Sequence, residues 1–403
     1  MYILSFFLSA CSPVESGQND QAGYHPERLE RINQVQQELV DKELFGSNHV
    51  ILFKNGERIY DQVVNSTRDR DADITEHTIF PLFSMSKPIT TVAMMILLEE
   101  GRLMLDDPIK KYMPEMDSLQ CLDENKQPYP CKRAVTVRNL LMHESGWGYY
   151  PGENNGIFSI ISDTDYTDLE DFSKKMAKRP LRFEPGEKYA YGLSSALQGR
   201  LIEAVTGQSF YEFLKEKIFD PLGMPDTKFD LTEEDRKRFQ PLLRVDEPTL
   251  QHIGDPNPGF YASKYDELSY QPGTKVQLGG EGLVSTANDF SHFCEMLLNN
   301  GAYNGKQIIS PTSVAWMHSP LQKPYKYGDW KGFATGFTYY HLAKPLQDGT
   351  LSPEGIFGWG GYHSTWFWID QTNDLFGLIM ARRTPTSHLM FDKVRLATYQ
   401  ALN

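Results

Sequence analysis

Phe83-Ser84-Met85-Ser86-Lys87-Pro88 runs directly into Ile89-Thr-Thr-Val-Ala-Met-Met-Ile-Leu-Leu-Glu-Glu-Gly101. The second part is apolar, built of good helix formers and closed by a glycine. Pro88 suits a first helical turn, where its missing N–H costs nothing. Residues three apart on a helix share a face, so the Ser84 hydroxyl and the Lys87 amine can meet. The positive end of the helix favours a serine alkoxide and a neutral, basic lysine, the requirements of a Ser-Lys nucleophilic pair. A chain of this length holds about one or two Ser-x-x-Lys tetrapeptides by accident, most of them solvated helix starts. The reading therefore depends on what else the chain carries.

The 403 residues suffice for one large domain or two ordinary ones with a substantial core. A formal charge of −13, with no basic cluster, argues against a nucleic-acid footprint and, more weakly, against charge-driven binding to anionic membranes. No apolar run reaches spanning length.

Met1 to Ala10 is almost wholly apolar and ends Leu8-Ser9-Ala10-Cys11. This resembles the lipobox of bacterial lipoproteins, in which the cysteine is acylated. The implied assignments are a lipidated Cys11, a polar tether up to residue 23, and an exported protein held in the periplasm or at the outer membrane by its lipid. A basic n-region and a longer apolar stretch, both usual in a signal peptide, are missing. Of the other cysteines, Cys121 and Cys131 flank a polar loop and are expected to pair in an oxidising compartment. Cys294 lies in a helical pattern and reads as a buried thiol. No Cys/His spacing suggests zinc.

Residues 25–44 read as an amphipathic helix, and residues 49–64 as a hairpin around Asn55-Gly56. From about 110 to 275 the chain is helical and loop-rich, with helices expected over 136–143, 167–178, 193–206 and 209–219. Strands return at 334–341, 354–362, 365–370 and 375–381, and a helix over 387–402 ends the chain. The economical architecture is α/β: an antiparallel sheet flanked by helices, built from residues 24–110 and 275–403, with an all-helical part inserted over 111–274. Residues 24–403 thus form the functional domain.

Six ordered blocks carry a resemblance: 83–91, 99–108, Val-Arg-Asn-Leu-Leu-Met-His-Glu-Ser-Gly (137–146), Pro-Gly-Glu-Lys-Tyr-Ala-Tyr (185–191), Gly-Gly-Glu-Gly-Leu-Val-Ser-Thr-Ala-Asn-Asp (279–289) and Gly-Trp-Gly-Gly (358–361). Over about residues 25–400 the chain resembles the β-lactamase-related serine hydrolases, which include class C β-lactamases, D,D-peptidases and the family VIII carboxylesterases. The resemblance implies a β-lactamase/penicillin-binding-protein-like fold, Ser84 as the acylated nucleophile and Lys87 as its proton acceptor. It implies Tyr191 as the tyrosine of the proton network, its phenolate stabilised by the Lys87 ammonium and the helix end. The implied oxyanion hole is the backbone N–H of Ser84 with that of Tyr362. Trp359, Gly360 and Gly361 would line the substrate site.

Two departures bear on substrate class. Tyr191-Gly192-Leu193 stands where β-lactamases carry Tyr-x-Asn, removing an amide that holds an acyl-amide chain. Trp359-Gly360-Gly361 stands where they carry Lys-Thr-Gly, removing a cation that faces a carboxylate. Both turn the site towards neutral, apolar esters. Ser364-Thr365 replaces the usual Gly-Thr. The expectation is a serine hydrolase of small-molecule carboxylic esters or amides that needs no cofactor and no metal. Its rivals are a β-lactamase or D,D-peptidase, and a catalytically silent binding module of the same shape. A Ser145-His143 pair is set aside in favour of a helix-closing histidine, and Asp106-Asp107 in favour of a loop cap. Trp147, Tyr149, Tyr150, Phe260 and Tyr261 are candidates for pocket walls, or simply for packing.

Overall fold

Alternation of apolar residues around Asn55-Gly56 produces a hairpin of β1 (Asn48–Lys54) and β2 (Glu57–Val64), preceded by α1 (Pro26–Asp41). The structure is a computed structural model that describes residues 23–67, 73–149, 165–240, 243–246, 249–252, 268–320, 331–384 and 386–402. Cys11, Tyr150, Phe260 and Tyr261 lie outside the described residues.

Five strands from the far end of the chain complete the sheet: β3 (Phe333–Thr335), β4 (Tyr340–Leu342), β5 (Phe357–Gly360), β6 (Trp366–Asp370) and β7 (Leu375–Met380). Their order is β3-β4-β5-β6-β7-β1-β2, antiparallel throughout. Thus β1 pairs with β7, His49 opposite Met380, which joins the two ends of the chain. Side chains alternate across a strand, and the partners of β6 follow that rule. Trp366 and Trp368 meet Phe391 of α5 (Leu389–Ala401), whereas Phe367 meets Phe290 and Phe293 of α4 (Ala287–Leu298). Hence α5, with α1 packed against it, covers one face and α4 the other. The expected antiparallel sheet between helices is the architecture found.

Helix α2 (Ser86–Glu99) is buried at every residue from Ser86 to Leu97, as befits an apolar helix with neighbours all round. It packs on α3 (Ser194–Thr206). The segment before α4 wraps its first turn: Thr90 Oγ1 donates to Gly279 O (2.6 Å), Leu283 N to Ser86 Oγ (3.1 Å), and Leu82 N to Leu283 O (2.8 Å).

Some expectations need correction. The run 334–341 is two short strands, β3 and β4, because the chain turns between them: Gly336 N donates to Tyr339 O at 2.7 Å and Thr338 has φ of +73°. The stretch 120–130, read as a loop in a helical region, forms a small hairpin of Gln120–Leu122 and Pro128–Pro130. The disulfide Cys121–Cys131 closes its base. Residues 311–318, unassigned from sequence, form a helix capped by the Ser310 side chain on Ser313 N. Cys294 is a buried free thiol.

Candidate active site

Ser84 sits in a single 3-10 turn, Phe83–Met85, immediately before α2, and Lys87 occupies the first turn of the helix itself. The preceding residue, Phe83, has φ of +44°, strained for a bulky side chain. Its ring is held between those of His363 (4.5 Å) and Tyr362 (5.7 Å). The expected meeting of hydroxyl and amine occurs, with Lys87 Nζ 3.2 Å from Ser84 Oγ.

Tyr191 arrives from the loop before α3 and donates its hydroxyl to Ser84 Oγ at 2.7 Å. That loop is fixed by backbone bonds: Ala190 N to His143 O (2.7 Å), Tyr149 N to Tyr191 O (3.1 Å) and Leu193 N to Trp147 O (3.1 Å). Gly192 permits the approach, since a Cβ there would lie 2.5 Å from Tyr149 N. Ser84, Lys87 and Tyr191, 107 residues apart at the extremes, are therefore brought together.

Two further residues complete the cluster. Lys87 Nζ donates to Gly280 O (2.7 Å), Glu281 Oε1 (3.1 Å) and Tyr149 OH (3.1 Å), and the Tyr149 hydroxyl donates to Glu281 Oε1. The Lys87 and Glu281 side chains are 0% and 2% exposed. Burial pushes the Lys87 ammonium below the ordinary lysine range, while the charge and hydrogen bond of Glu281 push it back up. From the sequence Tyr149 is a candidate for a pocket wall or for packing, and Glu281 carries no role. Its signal was a carboxylate among three glycines, Gly279-Gly280-Glu281-Gly282.

One expectation fails. Tyr191 is not poised as a phenolate: burial raises its pKa well above the ordinary value, and the Glu281 charge adds to the rise. Lys87 Nζ lies over the ring face, 4.9 Å from its centroid. A protonated Tyr191 is a donor to Ser84.

The Trp359-Gly360-Gly361 segment stands beside this cluster, with the Trp359 ring 5.9 Å from that of Tyr191. Its glycines answer to internal packing: a Cβ on Gly360 would strike the Trp366 ring at 2.1 Å, and one on Gly361 the Leu82 carbonyl oxygen at 2.5 Å. The second contact shows that the chain leading to Tyr362 runs against the residues preceding Ser84. Ser364, where glycine is usual, has φ of +70°, a glycine-favouring conformation, and its Oγ accepts from Ser387 N at 3.0 Å.

His143 is buried against Tyr191 (5.0 Å) and Tyr189 (5.9 Å). Neither ring nitrogen has a hydrogen-bond partner among the described residues. Burial first, then the Lys87 charge, lowers its pKa to about 3. The Ser145 hydroxyl bonds Ser194 Oγ (2.8 Å), so no Ser145-His143 couple exists. Asp106 pairs with Arg138, and Asp107 caps its loop by accepting from Met104 N (2.9 Å).

Residues 32–401 match the family model described as Beta-lactamase. Protein Rv1367c of Mycobacterium tuberculosis (strain ATCC 25618 / H37Rv) is 30% identical over 79% of this chain and 81% of its own length. Esterase EstB of Burkholderia gladioli is 27% identical over 85% of this chain and 87% of its own. Among solved structures, EstCE1, described as a hydrolase with promiscuous acyltransferase activity, superposes with a TM-score of 0.76 at 22% identity, over 93% of this chain and 99% of that one. The chain belongs to the beta-lactamase family and is a β-lactamase-related serine hydrolase.

Proposed function

We propose that this protein hydrolyses carboxylic esters through an acyl-enzyme on Ser84. The observation that carries the reading is the position of Ser84 Oγ, 2.7 Å from a protonated phenol and 3.2 Å from a desolvated amine. As a neutral amine, Lys87 takes the hydroxyl proton while Ser84 Oγ bonds to the ester carbonyl carbon. The resulting oxyanion would be met by the backbone N–H groups of Ser84 and Tyr362. Collapse expels the alkoxide, which takes the Tyr191 proton, and the Lys87 ammonium restores it. Water then repeats the cycle on the acyl group and frees the acid. Such proton transfers are each worth about 10²–10⁴ in rate.

Support for esters over β-lactams comes from the side chains. Trp359 stands where a carboxylate-binding lysine would be, and Leu193, in place of an asparagine, is fully buried. The names of EstB and of the lovastatin esterase of Penicillium rubens (strain ATCC 28089 / DSM 1075 / NRRL 1951 / Wisconsin 54-1255), 29% identical, point the same way. Export on a lipidated Cys11 is part of the same proposal.

The test is a panel of nitrophenyl esters and nitrocefin, run on the wild type and on Ser84→Ala with intact-mass detection of trapped acyl groups. Butyrate ester turnover, an acyl adduct on Ser84, and loss of at least about 10³-fold in Ser84→Ala are expected. Faster nitrocefin turnover would move the reading to a β-lactamase. Acyl transfer to added alcohols in preference to water would make the protein an acyltransferase. A folded wild type with no adduct would make it a binding module.

A further inference from the structure

We infer that Glu281 sets the proton affinity of Lys87, forming with it a buried pair whose charge balance fixes the pH at which Ser84 becomes a nucleophile. The inference rests on the reading of Ser84 and Lys87 just given and adds a positioning residue to it.

Lys87 Nζ faces four acceptors within 3.2 Å: Ser84 Oγ, Tyr149 OH, Gly280 O and Glu281 Oε1. An ammonium has only three protons to give. A neutral amine has two, which Gly280 O and the Glu281–Tyr149 side engage, leaving its lone pair for the Ser84 proton. Once that proton arrives, a positive charge stands beside the Glu281 carboxylate and is neutralised where it forms. Without Glu281, the same proton would create an isolated charge in a fully buried site.

The titratable groups around the pair are few. Tyr149 donates to Glu281 and accepts from Lys87. Tyr191 presents its ring to Lys87. His143, on the far side of Tyr191, feels the Lys87 charge and is held neutral. Glu281 is thus the carboxylate that opposes the desolvation of Lys87. Its second oxygen, Oε2, is buried without a hydrogen-bond partner among the described residues. That leaves Oε1, already bonded to Lys87 and Tyr149, as the oxygen through which it acts. The loop holds it there: a Cβ on Gly282 would meet the Phe229 ring at 2.8 Å, and one on Gly279 the Ser195 carbonyl oxygen at 2.7 Å.

The experiment is the pH profile of kcat/KM for nitrophenyl butyrate, and of fluorophosphonate labelling of Ser84, in wild type, Glu281→Gln and Glu281→Asp. Removing an opposite charge at this distance shifts a pKa by about 1–3 units. The acid limb of both profiles therefore moves down by at least about one unit in Glu281→Gln, with a plateau about tenfold or more lower because the lysine is a weaker base. Glu281→Asp, which keeps the charge, places the limb between the two. A folded Glu281→Gln that loses rate with its limb unmoved, or changes in neither, overturns the inference.

If Glu281→Gln does not fold, the wild type and Glu281→Asp carry the test. The Lys87 Cε resonance, assigned by its loss in Lys87→Arg, must titrate together with the acid limb in each protein, with the lower midpoint in Glu281→Asp, where the carboxylate stands further from the amine. A Cε midpoint that is the same in both proteins overturns the inference. Absence of any wild-type adduct would refute the acyl-enzyme reading, while the Cε titration would still decide the pairing.

Discussion

Among the described residues, Arg395 and Lys87 are fully buried cations that stand beside carboxylates. On the sheet face covered by α5, Arg395 is fully buried and gives Nη2 to Asp348 Oδ1 (2.9 Å) and Asp392 Oδ1 (3.0 Å), and Nη1 to Asp348 Oδ2 (3.1 Å). Its guanidinium lies 4.1 Å from the Phe391 ring centroid. At the head of α2, Lys87 meets Glu281 with equal burial. The first is a planar fork matched to a bidentate acceptor, and its charge is permanent. The second is a point charge with more acceptors than protons, and burial lowers its pKa against the pull of Glu281. The same ingredients serve as a clasp in one place and as a proton store in the other, and the difference is the choice of cation.

The largest effect that would break this contrast comes from exchanging the cations' chemistry. Lys87→Arg keeps a positive charge but cannot release a proton near neutral pH. We expect kcat/KM for a nitrophenyl ester to fall by about 10³–10⁴-fold. The larger side chain should cost about 1–3 kcal/mol of stability through overpacking. Near-wild-type turnover, measured beside a thermal melt, would mean that Lys87 works only as a charge.

Next in size is Arg395→Met. It leaves the Asp348 carboxylate buried without its cation, a change that costs about 3–5 kcal/mol in urea unfolding. Turnover per folded molecule, counted by active-site titration with a fluorophosphonate, should stay within about threefold, because this cluster does not contact the Ser84 group. A large loss of turnover in folded protein would show the two clusters to be coupled.

The two regions also differ in how plainly they were written in the chain. The sheet was legible because strand alternation, Asn55-Gly56 and the apolar runs after residue 354 are local signals. Ser84 and Lys87 were legible by their spacing together with the other five blocks of the resemblance, and Tyr191 through the block 185–191 of that resemblance. Glu281 was not, because a carboxylate flanked by glycines reads as a solvated loop. Only the wrapping of 279–283 around α2 takes it out of water. The protonation of Tyr191 is hidden from the sequence for the same reason: burial in the folded site raises its pKa. The strands Ile79–Pro81 and Val284–Thr286, three residues each, are too short to show a period. The hairpin at 120–130 hides behind its prolines.

The smallest effect sharpens the contrast with a third buried base. His143 contacts the Tyr191 ring, yet its pKa is lowered to about 3, so it is neutral throughout the working range. In the unfolded chain an imidazole takes up a proton below about pH 6.5. Between that pH and about 3 the unfolded state binds up to one proton more than the native state. Stability therefore falls as pH drops through this window, by up to about 1.4 kcal/mol per unit, and the group contributes nothing to the slope above it. His143→Leu removes this linkage, so its unfolding free energy, measured in urea at about pH 7 and about pH 5, should fall less on acidification than that of the wild type. Ester turnover of His143→Leu near pH 7 should stay within about tenfold, with the acid limb where it was, because among the described residues neither ring nitrogen hydrogen-bonds to Ser84, Lys87 or Tyr191. A collapse of turnover with a displaced limb would instead place the imidazole in the proton path and make Lys87 one of two bases.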